Sequence, residues 1–381
     1  MTKAIVALSA DPIHYGHVDI IKRTANTFDE VVVGIGKNSE KNYLFNLEER
    51  LDMTRQALKD LDNVTVTSFK GLLVDYAYEH NIPVVVKGVR NPTDVEYEKP
   101  IHNVGVSHGL GIETFVLFSN PKYDHYSSRI VKAIQKEQGL VHKYVPLHVK
   151  QKLEERMSGQ YIVGVTGGIA CGKSYVSDKF VELGKEYDVK VHNVDLDKIG
   201  HEILSSLKEP RYQEVRAEVI KRFGPNVENR DGGINRKALG EIVFNNHDAL
   251  KDLNKIMHTP LLVRLRREMS EKKGLVLLNA ALIAESNLGY FCNNNVVLVE
   301  ADKQSQEGRL KERGLNPKQL HRRLACQYDN SVKKDYLLRA IETDGYGKIW
   351  SVDNSDDFED HSSQENIKNT FEKVIAELNV K

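Results

Sequence analysis

Gly167 to Ser174 reads GGIACGKS, with the spacing G-x-x-x-x-G-K-S. It stands between a strand-like YIVGVT and a helix-like YVSDKFVELG. In such a turn backbone N–H groups curl around a phosphate, and the following helix N-terminus adds partial positive charge. Lys173 is then placed to reach the β- and γ-phosphates of ATP, and Ser174 to ligate Mg²⁺. Gly167, Gly168, Ile169, Ala170, Cys171 and Gly172 complete the candidate ATP loop. A helix N-terminus can lower a thiol pKa, but a bystander cysteine is the simpler reading of Cys171.

Phosphoryl transfer also needs a group to take the acceptor's proton. KVHNVDLDKIGHEI puts Asp195 and Asp197 on either side of one residue at a strand end. Paired carboxylates there suit an acceptor hydroxyl or a metal-bound water, and helix N-capping suits the same residues equally well. Further on, RLKERGLNPKQLHRRLACQ carries Arg309, Arg313, Arg322 and Arg323 on a helix–turn–helix pattern. That is the pattern of an arginine-bearing lid over ATP, and also of an ordinary solvated basic helix.

The other candidate constellation is ADPIHYGH, where His14 and His17 stand three apart as an apolar run gives way to a helical one. Zinc would need more ligands than this pair, and no Cys or His cluster supplies them. Gly16 would let a triphosphate approach the backbone, and His17 can donate a hydrogen bond to an α-phosphate as it gains charge. His14 reads as a residue that shapes the turn or the nucleotide pocket.

These residues need elements to hold them. The chain has 381 residues, 40% hydrophobic and 28% charged, the balance of a soluble protein long enough for two domains. Lys plus Arg equals Asp plus Glu at 54 each, so no global field favours nucleic acid or an anionic membrane. Three widely spaced cysteines, Cys171, Cys292 and Cys326, form neither a disulfide framework nor a zinc pattern and suit a reducing compartment. ALSA near the N-terminus resembles a cleavage site, but the apolar stretch before it is short and only Lys3 precedes that. The longest apolar run, LVLLNAALIA at 275–284, is about half a membrane span. The expectation is a cytoplasmic protein.

Over the first 145 residues AIVALSA, EVVVGIG, NVTVTSF, PVVVKGV and ETFVLFS alternate with helical segments, closing on IVKAIQKEQ. Short β-rich runs alternating with amphipathic helices predict a parallel sheet covered on both faces. A break falls near Ser158-Gly159, after which a second βα series begins and runs to the C-terminus. The fold class expected is α/β in two domains, 1–157 and 160–381. The H-x-G-H turn of the first resembles the signature of the α/β nucleotidyltransferases, which implies a Rossmann-like nucleotidyltransferase sheet there, and GGIACGKS in the second implies a P-loop kinase sheet with a helical substrate and lid region.

The second half resembles dephospho-coenzyme A kinases. TGGIACGKS, VDLD, RFG with INRKALGEIVF, IMHTPLL around His258, RLACQ and VDNS occur in that family's order, from about 160 to 355. The resemblance implies that Asp197 is the base toward a ribose 3′-hydroxyl, and that Arg309 and Arg313 join the loop in binding ATP. Where the family has D-x-P-L-L-x-E, this chain reads NAALIAE, with Asn279 and Ala281 replacing the Asp and Pro and Glu285 retained.

The first half resembles bacterial-type phosphopantetheine adenylyltransferases over about 1–155, through the H-x-G-H turn, SEKNYLFNLEER, VVVKGVRNPTDVEYE and YSSRIVKAIQ. This implies that Lys41 contacts the phosphates of both substrates. It also implies that Ser9, Gly16, His17, Gly88, Arg90, Glu98, Ser127 and Ser128 bind ATP, and that Ser9, Lys41, Leu73 and Lys87 bind phosphopantetheine. The chain departs from the family at Ser9-Ala10 (usually Thr-Phe), at Lys87 (usually Arg) and at Arg129 (usually Ser or Thr).

The function implied is the last two steps of coenzyme A synthesis. Adenylyl transfer from MgATP to 4′-phosphopantetheine would be followed by phosphorylation of dephospho-coenzyme A. The partners would be these small molecules, with no nucleic acid or membrane, and a homo-oligomer would form through the N-terminal domain. Two rivals share part of the pattern. One is a nicotinamide mononucleotide adenylyltransferase fused to a ribosylnicotinamide kinase. The other is a non-catalytic nucleotide-sensing scaffold with one or both sites vestigial.

Overall fold

The computed structural model describes residues 2–37, 42–243, 246–312, 329–355 and 361–381. They form two compact units, Met1–Met157 and Ser158–Lys381, each built on one five-stranded, wholly parallel sheet.

In the first unit the strands are β1 (Lys3–Leu8), β2 (Glu30–Ile35), β3 (Val64–Ser68), β4 (Val84–Val89) and β5 (Glu113–Phe118), in the order β3-β2-β1-β4-β5. Ala4 and Ile5 on β1 are both fully buried although they point to opposite faces, so the sheet is covered on each side. Helix α1 (Tyr15–Ala25) buries Val18, Ile20, Ile21, Thr24 and Ala25 along one stripe. Helix α2 (Leu47–Ala57) starts in a reciprocal capping box between Asn46 and Glu49. After β1 the chain builds β2 and β3 on one side, then crosses over to place β4 on the other. The turn after β1 therefore opens where the strand order reverses, the usual ligand crevice of such sheets.

Three further helices follow in this unit: α3 (Leu73–Glu79), α4 (Pro92–Ser107) and α5 (Ser128–Lys136). The alternation of apolar runs does not predict α4. It contains Pro100, buries no residue, and leaves Val95, Tyr97, Ile101 and Val104 exposed. The neighbouring edge strand β5 exposes Phe115 and Phe118. Helix α6 (Leu147–Leu153) follows, and a π-helical turn at Glu154–Ser158 ends the segment before Gly159 takes a left-handed conformation.

The second unit has β6 (Gln160–Gly167), β7 (Val191–Asp195), β8 (Gly274–Asn279), β9 (Asn295–Glu300) and β10 (Lys348–Asp353), in the order β10-β9-β6-β8-β7. All residues of β6 and β8 are buried, so the apolar run at 275–284 is a core strand with its following loop. Helix α7 (Lys173–Glu186) follows β6. Between β7 and β8 the chain forms α8 (Leu196–Ser205), α9 (Pro210–Phe223), α10 (Arg236–Val243) and α11 (His247–Met269). Then come α12 (Lys303–Glu312), α13 (Asn330–Asp344) and α14 (His361–Glu377). A Cβ at Gly167, the last residue of β6, would lie 2.2 Å from Val299 O, so only glycine lets β6 turn away while still paired with β9. Among the described residues no helix is long and apolar enough to cross a membrane.

Candidate active sites at two strand-to-helix turns

In the first unit the turn after β1 is tied down from several sides. Asp11 accepts the backbone N–H groups of Leu44 and Phe45, each at 3.0 Å, and pairs with Lys132 at 2.8 Å. Buried Arg50 donates to Ser9 O at 2.5 Å and to Gly36 O at 3.1 Å, which locks β1 and β2 together at their C-terminal ends. Ala10, standing where the resembling family has Phe, is buried with a left-handed backbone.

His14 is the N-cap of α1, and its Nδ1 accepts the His17 N–H at 3.4 Å. The two imidazoles stack with centroids 3.6 Å apart. Burial, with His17 and Arg90 nearby, drives the His14 pKa well below its ordinary value, so the ring is neutral and available as a cap acceptor. His14 thus shapes the turn, and His17 occupies the first turn of α1. A Cβ at Gly16 would meet the His14 ring at 3.0 Å, so the glycine serves this stack.

Ser127 N-caps α5 and accepts Ile130 N–H, while Ser128 Oγ donates to Pro12 O at 2.8 Å. The second bond brings the N-terminus of α5 against the turn that opens α1. On β4, Lys87 pairs with Glu98 of α4 at 2.8 Å. Gly88 lets Ile20 pack closely, since a Cβ there would lie 2.9 Å from Ile20 Cγ1. Arg90 is held by Asp94 through Nε and Nη2 and donates from Nη1 to Tyr126 O at 3.0 Å. Leu73 is half-buried against a cluster containing Ile5 and Ala77. Lys41 lies outside the described residues.

In the second unit the GGIACGKS turn leaves β6 at the sheet's central position. Gly172 takes a left-handed conformation as the N-cap of α7, which begins at Lys173. Lys173 Nζ donates to Gly167 O at 3.2 Å and to Gly168 O at 3.1 Å, folded over its own loop. Asp195 is the N-cap of α8 and accepts the N–H groups of Asp197 and Lys198 at 2.8 and 3.1 Å. The structure thus gives Asp195 the capping role, and the Asp197 carboxyl takes no part in that cap. Burial, then the Asp195 charge, raises the Asp197 pKa, and Lys173 and Arg236 oppose the rise. A carboxylate raised in this way is a better proton acceptor.

Several contacts around this loop were not anticipated in the sequence. Asn354 at the end of β10 donates to Cys171 O at 2.8 Å. Arg309 donates to Ala170 O at 3.3 Å and to Asn354 O at 2.7 Å, so it braces the loop backbone. Gln306 and Asn330 direct their amides at Cys171 Sγ. Cys171 is fully buried, and burial raises its thiol pKa. The VDNS run was the one sequence signal that pointed to Asn354, INRKALGEIVF contained Arg236, and nothing marked Gln306 or Asn330. Asn279, where the family has Asp, donates to Ser177 Oγ at 3.2 Å. Arg313, Arg322 and Arg323 lie outside the described residues.

Each of the two α/β units opens a helix at the turn that leaves its first strand. Residues 161–345 match the family model for dephospho-CoA kinase, and residues 9–134 match that for cytidylyltransferase-like proteins. A phosphopantetheine adenylyltransferase from Caldanaerobacter subterraneus subsp. tengcongensis is 40% identical over 156 residues, 41% of this chain and 98% of that protein. Among solved structures, TT1252 from Thermus thermophilus is 25% identical with a TM-score of 0.43, covering 57% of this chain and 98% of that one. A dephospho-CoA kinase from Campylobacter jejuni is 21% identical with a TM-score of 0.34, covering 57% and 97%. The chain belongs to the phosphopantetheine adenylyltransferase family, with a dephospho-CoA kinase domain fused behind it. These matches favour coenzyme A synthesis over the nicotinamide pairing.

The buried imidazoles of the first unit make its stability depend on pH. Besides His14, burial lowers His142 and His148 from 6.5 to about 4. Below pH 6.5 the unfolded chain binds protons at these positions that the folded chain refuses, so stability falls as pH drops toward 4. The melting temperature of the first unit is expected to fall over that window, and less steeply in His148→Gln. An equally steep fall in that variant would show that His148 does not contribute.

Proposed function

We propose that the chain catalyses the last two steps of coenzyme A synthesis, one at each strand-to-helix turn. The observation that carries this is the recurrence of one device, a helix N-terminus opened at the C-terminal edge of a parallel sheet, in two units of different family. ATP is the co-substrate of both steps.

In the first step a phosphate oxygen of 4′-phosphopantetheine attacks the α-phosphorus of ATP. The α–β bridging P–O bond breaks and pyrophosphate leaves. The substrate supplies its own nucleophile, so the protein's task is to position both phosphates and meet the developing charge. His17 donates to the α-phosphate, with its ring held by the stack on neutral His14. The N-termini of α1 and α5, Arg90 and Lys41 add positive potential, with Ser9, Gly16, Gly88, Ser127 and Ser128 lining the ATP side. Lys87, which pairs with Glu98 of α4, and Leu73 are proposed to meet phosphopantetheine, with Glu98 on the ATP side.

In the second step the ribose 3′-hydroxyl of dephospho-coenzyme A attacks the γ-phosphorus of a second ATP, and ADP leaves. Asp197 takes the hydroxyl proton, helped by its raised pKa. Lys173 swings from the loop carbonyls to the β- and γ-phosphates, and the backbone of Gly167 to Ser174 cradles them, braced by Arg309. Ser174 is exposed in the first turn of α7 and fits Mg²⁺, which asks for one or two protein oxygens beside phosphate and water. When bound, Mg²⁺ neutralises charge on the transferring phosphoryl group.

The reactions belong in the cytoplasm, a setting that suits the free thiols of Cys171 and Cys292. The exposed apolar surface of α4 and β5 supports a homo-oligomer in which that face meets a second copy.

Given phosphopantetheine and MgATP, the purified chain is expected to make coenzyme A and not to turn over nicotinamide mononucleotide. His17→Ala should slow the first step alone, and Asp197→Asn the second alone, each by about 100-fold or more. Turnover of nicotinamide mononucleotide only, or loss of both steps in one folded variant, would contradict the assignment. Ile101→Glu should lower the mass seen in sedimentation. A wild-type mass equal to one chain would remove the oligomer proposal.

A further inference from the structure

The second unit grips its phosphate loop with a side chain outside the motif. Asn330, the first residue of α13, accepts the Gly168 N–H at 2.9 Å through Oδ1. Its amide nitrogen lies 3.7 Å from Cys171 Sγ. Asn330 therefore holds both the start and the middle of the GGIACGKS turn. Gly168 lies at the strand end of that turn, away from the N–H groups at the start of α7 that face a phosphate. The bond shapes the loop from its strand end and does not involve the N–H groups at the start of α7.

One turn further along α13, Lys333 shows how this helix is itself anchored. It is fully buried, donates to Ala281 O at 2.7 Å and pairs with Glu285. A buried ammonium keeps its charge only when paired and hydrogen-bonded, so this attachment is costly to break. Thr166, on the strand that leads into the phosphate loop, donates to the same Ala281 carbonyl at 3.2 Å. Residues three apart share a helix face, so Asn330 and Lys333 join the phosphate loop to the loop that follows β8.

We propose that Asn330 is a positioning residue for ATP, fixing the entry of the phosphate loop from a helix that Lys333 pins to the Ala281–Glu285 segment. This rests on the reading of the second unit as a kinase. A loop held in its bound shape spends less of the ATP binding energy on ordering itself. Loss of the bond therefore weakens ATP binding more than it weakens binding of the acceptor.

The test measures the kinase step alone on the full chain, with dephospho-coenzyme A and MgATP supplied. Asn330→Ala should raise KM for MgATP about fivefold and leave KM for dephospho-coenzyme A within twofold. Asn330→Asp keeps an acceptor oxygen at a helix N-terminus and should hold KM for MgATP within twofold of the unsubstituted chain. The proposal is overturned if Asn330→Ala leaves KM for MgATP unchanged. Equal changes in both KM values, or an Asp variant as poor as the Ala variant, would overturn it too. Absence of kinase turnover in the unsubstituted chain would instead overturn the kinase reading, and the proposal with it.

Discussion

Both units depend on a first strand that is paired on each side, β1 between β2 and β4 and β6 between β8 and β9. A strand so placed is fixed in direction and depth, and the turn that leaves it opens at the sheet's C-terminal edge where the strand order reverses. A triphosphate concentrates several negative charges in a small volume, and backbone N–H groups at a helix start meet them without mobile side chains. The two turns differ in how they are made. The first relies on an imidazole cap and a stacked imidazole, the second on glycines and a lysine.

In each case the turn is held by several side-chain hydrogen bonds. Arg50 bonds Ser9 and Gly36 carbonyls across two strand ends, and Asp11 collects two amides and an ammonium. In the second unit Asn354, Arg309 and Asn330 bond the backbone of the phosphate loop from β10, α12 and α13. A reacting atom displaced by about 1 Å loses much of its rate, so such bracing belongs to catalysis as much as the reacting side chains do.

The alternation of strand and helix was legible because the buried strands are continuous apolar runs with β-branched residues, as in EVVVGIG and PVVVKGV. Helix α4 was not, because Pro100 and an outward-facing apolar stripe blur its period. The phosphate loop was legible because its chemistry lies in eight consecutive residues. The D-x-D pair was only half so, since spacing alone does not separate an N-cap from a base; the hydrogen bonds to Asp195 identify the cap. The Lys87–Glu98 and Asn330–Gly168 contacts joined segments whose proximity only the packed fold reveals.

The central claim is that one chain holds two sites, one for each step. It is tested most directly by mixing the purified His17→Ala and Asp197→Asn chains in equal amounts with phosphopantetheine and MgATP. The account predicts that neither chain alone makes coenzyme A at an appreciable rate and that the mixture does, with free dephospho-coenzyme A passing between them. A mixture as inactive as its components, or coenzyme A formed by either chain alone, would contradict it.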